Sequence, residues 1–195
     1  MTGRRSVAAA GVALAVLATS GHAAPPAPQI VDAKGDAIGM QPGTDIESVT
    51  FAATRTGKVV NGFTVTMKLG APPVRQPGVL YRVYGTQSVC GDFKMSSAAT
   101  AALIEQNQVT MTCGEPDPTT GDPYTIINVT PKTVGSSLVW SFKLKMLPKE
   151  MRSGTMSELE AFVTVADPVF GIFNTADFAP QSAIDHAVGT ATFKY

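Results

Sequence analysis

Cys90 and Cys113 are the two cysteines of the chain and the residues whose chemistry is most easily assigned. In an oxidising compartment a disulfide is the default for such a pair, and closing a loop of about 24 residues is worth roughly 3 kcal/mol. Two free thiols or a metal pair are the alternatives, but a metal site would need further Cys or His ligands that the sequence does not supply. A serine nucleophile would have to work with His186, and no Gly-x-Ser-x-Gly elbow surrounds any serine. There is no His-Glu-x-x-His, no Cys-x-x-Cys and no phosphate-cradling glycine loop. Paired carboxylates for glycoside hydrolysis are defined by their separation in space, which sequence leaves open. With 7% aromatic and 15% charged residues, the chain is poor in the groups that line catalytic clefts, and it is expected not to be an enzyme.

The N-terminus carries an address. Arg4 and Arg5 precede an apolar run from Val7 to Ala18, and Gly21-His22-Ala23 offers a small-x-small cleavage site. Residues 1–23 therefore read as a signal peptide, because a run of about a dozen residues is short of the roughly 20 that span a bilayer. The mature chain is expected to be secreted or otherwise extracytoplasmic, without a membrane span. Residues 24–29 form a proline-rich lead-in and residues 30–195 a single domain. Removing Arg4 and Arg5 from the 15 basic residues leaves 13 against 15 acidic ones, a formal charge of minus two. Nothing in that balance recruits nucleic acid.

The elements that must position any site are strands. From Leu138 to Met146 large apolar residues alternate with Ser141, Lys143 and Lys145, the pattern of a half-buried strand whose apolar face holds Trp140 and Met146. Asp45–Ala53 and Val59–Leu69 alternate in the same way around Gly57-Lys58 and should pair as a hairpin. Gly78–Thr86 is apolar on both faces and is expected to be central. Tyr124–Val129 and Leu138–Met146, separated by Pro131–Ser137, suggest another hairpin. Ser96–Gln106, alanine-rich behind two serines, suggests a helix of two to three turns. The fold class expected is all-β, a two-sheet antiparallel β-sandwich, jelly-roll-like, with one short helix.

Three motifs, Asp32-x-x-Gly35-Asp36-Ala37, Asp45-Ile46-x-Ser48-Val49-x-Phe51, and Asp177-Phe178-Ala179-Pro180 ahead of Val188-Gly189, resemble those of family 9 carbohydrate-binding modules and the wider DOMON-like domains. The resemblance implies a jelly-roll-like sandwich, structural calcium near the N-terminal acidic turn, and ligand binding by one face or rim. Calcium takes six to eight oxygens. Asp32, Asp36 and Asp45 would contribute carboxylates if the chain folds back on itself, with Asp177 or Asp185 approaching from the C-terminal end; the same Asp and Gly residues also simply make turns. Modules of this group grip sugars with exposed tryptophans, whereas Trp140 falls on an apolar face. Tyr84 is then the better-exposed aromatic candidate for ligand binding. His186 reads as a surface histidine in a loop, and the acidic loop Glu115–Asp122 as solvated.

The expectation is thus a secreted, non-catalytic binding module, calcium-stabilised and carbohydrate-binding, with polysaccharide as its partner. The alternative is a secreted structural or protein-interaction sandwich without a sugar site, whose partner is another secreted protein.

Overall fold

Alternating apolar residues need a second layer to cover them, and the strands arrange themselves accordingly. The computed structural model describes residues 25–37, 42–75, 79–98, 108–112, 124–165 and 183–195. Among them lie β1 (Ile30–Val31), β2 (Ile46–Thr56), β3 (Val59–Leu69), β4 (Val79–Gln87), β5 (Gly91–Ala98) and β6 (Gln108–Thr112). They are followed by β7 (Tyr124–Asn128), β8 (Lys132–Val134), β9 (Ser137–Lys143), β10 (Thr155–Val165), β11 (Ala183–Val188) and β12 (Phe193–Lys194). One sheet has the order β1-β2-β3-β9-β8 and the other β11-β10-β4-β5-β6-β7, with β12 paired to the end of β10. The strand pairs are antiparallel, and the two sheets close on one core, an all-β sandwich.

The inner faces follow the alternation. β2 contributes Val49 and Phe51, β3 Phe63, Val65 and Met67, and β9 Leu138, Trp140 and Phe142. They meet Val79, Tyr81 and Val83 of β4, Phe93 and Met95 of β5, and Leu159, Ala161 and Val163 of β10. Trp140 is fully buried, as its place in the alternation requires. The β2–β3 hairpin turns at Gly57, whose φ of 61° lies in the left-handed region that glycine enters without steric cost. β4 sits between β10 and β5, the central position expected of it.

Three expectations are corrected. β9 stops at Lys143, and Leu144–Met146 form a 3-10 turn closed by the Leu147 N–H donating to the Leu144 carbonyl at 3.0 Å. Met146 is therefore 41% exposed rather than in the core. Pro148, next in the chain, has no N–H to extend a ladder. Secondly, β7 and β9 do not pair: β7 completes the larger sheet beside β6, and β9 pairs with β8 and β3 in the smaller one. The helix expected from Ser96 is also displaced, because Ser96, Ser97 and Ala98 finish β5 in register with Arg82, Tyr81 and Leu80. Residues 99–107 of that segment lie outside the described residues.

One buried hydroxyl ties the layers to their connecting loops. Tyr81 Oη donates to the Gly43 carbonyl at 2.8 Å and accepts from the Val74 N–H at 2.7 Å. Burial pushes its pKa up to about 12. Tyr81→Phe keeps the ring but strands both backbone groups, so we expect a loss of about 1–3 kcal/mol, read as a lower urea midpoint at unchanged m-value.

Candidate functional site

The acidic turn near the N-terminus folds back onto the start of β2. The Gly35 N–H donates to Asp45 Oδ1 at 2.8 Å, which brings the turn holding Asp32 and Asp36 to the start of β2. Asp45 is buried and spends that oxygen on the backbone, Asp36 is exposed, and the Asp32 N–H donates to the Glu47 carbonyl at 3.1 Å. Asp185, on β11, stands in register with Val163 of β10, in the other sheet. Its side chain, Asp177, Cys113 and the loop Glu115–Asp122 lie outside the described residues. Among the described residues no group of three or more His, Cys, Asp or Glu side chains is placed to hold a metal ion. The motif did not single out Glu47, which anchors this corner: its carboxylate takes Lys34 at 2.9 Å and Lys68 at 2.6 Å.

Tyr84 lies on the outer face of the larger sheet, in a cross-strand row with Phe162 and His186. Phe162 and His186 are stacked, 4.4 Å between centroids and 3° between planes. Tyr84 leans on Phe162 at 5.1 Å, and Lys94 Nζ lies 5.4 Å from the Tyr84 ring centre. Such rows stabilise a sheet through contacts between their own members, and the ring faces of this one are turned to neighbours instead of to an incoming sugar. Leu80 and Arg82, on the same face of β4, are fully buried, so the face is covered there. His186 stands on a strand rather than in a loop, and its Nε2 lies 3.7 Å from Glu160 Oε2.

The smaller sheet presents a different feature. Where β2, β3 and β9 end beside the 3-10 turns Leu144–Met146 and Lys149–Arg152, an open cleft of about 680 Å³ forms. Its polar wall comes from Thr54, Asn61, Thr64 and Ser141, its floor from Phe63 and Phe142, and its rim from Leu144 and Met146. Lys143, Lys145 and Arg152 complete the lining, and among the described residues no acidic side chain contributes to it. Phe63 and Phe142 are a cross-strand pair with centroids 4.7 Å apart, so the floor is part of the core. At Gly62, between the lining residues Asn61 and Phe63, a side chain would run into the Phe142 carbonyl, and glycine is what lets β3 and β9 close there. Arg152 holds the turn in shape, donating from Nε to the Leu147 carbonyl at 3.1 Å and from Nη2 to the Lys145 carbonyl at 3.4 Å.

The cleft was not visible as a site in the sequence, because its walls come from strands and turns far apart in the chain. The signal it left is the run Lys143, Lys145, Lys149 and Arg152, four cations against the single acid Glu150.

The Lys68 and Lys34 ammonium groups hold the Glu47 carboxyl below its ordinary value of 4.5. With the folded-state value depressed, this pairing stabilises the fold above that pH and is lost as the pH falls through the lower folded value. Glu47→Gln should therefore flatten the stability profile below about pH 4.5, read as thermal midpoints from pH 3 to 7, and should respond less to salt than the parent. Comparison of the chain with family models, with curated proteins and with solved structures found no match.

Proposed function

We propose that the chain is an exported, non-catalytic binding module that holds a stretch of polysaccharide in the cleft of the five-stranded sheet. The observation that carries this reading is the cleft itself, lined by hydroxyl and amide groups with the accessible apolar side chains of Leu144 and Met146 at its rim. A sugar has the matching amphipathic form, hydroxyl edges around apolar C–H faces, and pockets of roughly 300–1,000 Å³ are the usual size for small-molecule ligands, the scale of a few sugar units. Export rests on residues 1–23.

Affinity electrophoresis through gels containing single polysaccharides tests the reading. Retardation in at least one gel is expected, and Ser141→Phe, which fills the cleft from an exposed position on β9, should abolish it without lowering the thermal midpoint. If no polysaccharide retards the protein, the sugar reading fails and the protein-interaction sandwich replaces it.

The same proposal gives the two cysteines a disulfide. Cys90 is not a free thiol, and β5 and β6 pair Phe93 with Met111, close in sequence to Cys90 and Cys113. Intact mass under non-reducing conditions should fall about 2 Da below the reduced value, and reduction should cost roughly 3 kcal/mol of stability. Two free thiols in the purified protein would remove this part of the proposal.

A further inference from the structure

The cleft carries a charge that a neutral sugar would not require. Lys143, Lys145 and Arg152 line it, and among the described residues no acidic one does. Arg152 is satisfied by two backbone carbonyls rather than by a carboxylate, so its positive charge stays uncompensated at the wall. Lys143 and Lys145 are exposed and make no ion pair among the described residues. By contrast Lys34 and Lys68, at the far end of the same sheet, share the Glu47 carboxylate, which offsets one of their two charges. The mature chain is expected to be slightly acidic, so the cluster is a local concentration of charge and not a reflection of a basic protein.

We propose that the cleft is built for an anionic polysaccharide, one whose sugar units carry carboxylate or sulfate groups. This rests on the sugar-binding reading above and adds the class of sugar. The hydroxyl and amide groups of Thr54, Asn61, Thr64 and Ser141 and the apolar rim of Leu144 and Met146 would take the ring while the ammonium groups of Lys143 and Lys145 meet its acidic substituent. A concave site lined by one sign of charge focuses the field and raises the local concentration of such a ligand. Nucleic acid shares the charge, but the cleft's lining includes no free aromatic ring face for a base, since Phe63 and Phe142 stack on each other.

The decisive experiment is calorimetric titration of the purified protein with galacturonate oligomers and with their fully methyl-esterified, neutral counterparts. Binding of the acidic oligomer is expected, weakening about tenfold between 0.02 and 0.2 M salt, with the neutral ester at least about tenfold weaker. The double substitution K143Q/K145Q should lose about tenfold for the acidic oligomer while the thermal midpoint stays unchanged, because both side chains stand in solvent. Equal binding of the two oligomers without salt dependence would overturn the anionic class and leave the sugar-binding reading standing. Failure of both oligomers, together with no retardation in any polysaccharide gel, would overturn both readings. Single-stranded DNA of matched charge binding as tightly as the acidic oligomer would overturn the assignment to a sugar.

Discussion

The stacking of Phe63 on Phe142 is the contact on which most of the molecule depends. The two rings come from neighbouring strands of one sheet, 4.7 Å apart and 23° from parallel. Phe63 also meets Phe193 at 5.8 Å and Tyr195 at 5.1 Å, while Phe142 reaches Phe93 of the opposite sheet at 6.3 Å. Each aromatic contact of this kind adds about 0.5–1.5 kcal/mol beyond burial. Together they join the two layers at one end of the sandwich, and the same pair forms the floor of the cleft. A site whose base is core cannot be reshaped without disturbing the fold, which makes its geometry rigid.

The C-terminal residues complete this end. Phe193 packs between Phe51 and Phe63, and Tyr195 stacks on Phe193 at 5.5 Å. The Tyr195 hydroxyl donates to the Met151 carbonyl at 2.9 Å, and its N–H donates to Gly154. Met151 is fully buried within the 3-10 turn that also carries Arg152. The last residues of the chain thus lock from inside the turn that supplies one cation of the cleft from outside. Burial raises the Tyr195 hydroxyl's pKa, which keeps it a neutral donor across the physiological range.

How much of this was legible in the sequence depended on whether the governing contact was local. Period-two alternation identified the inner faces of β2, β3, β4 and β9, down to Trp140, because facing the core is decided residue by residue. It overran at Leu144–Met146, where an apolar spacing of two persists by chance through a 3-10 turn. The mistaken β7–β9 hairpin has a different origin. Consecutive strands pair by default, but here the chain crosses from one sheet to the other after β7, and nothing near Pro131 encodes that choice. For Tyr84 the face was right and the neighbours were not visible: Phe162 and His186 arrive from a segment about 80 to 100 residues away in the chain.

Charge placement was only half legible for the same reason. The basic run from Lys143 to Arg152 stands out in the sequence, yet a run of lysines is usually a solvated face. What alters its meaning is the end of β9 at Lys143 and the turn that follows, which fold Lys145 and Arg152 back beside Lys143 around a concavity instead of spreading them along a strand. Gathering like charges costs energy, and at the other end of the sheet the structure lowers that cost by placing Glu47 between Lys34 and Lys68. Among the described residues no carboxylate lines the cleft. Since the fold gives one basic pair a carboxylate of its own and, among the described residues, gives the other none around a hydroxyl-walled hollow, the repulsion left there is best relieved by an acid brought from outside.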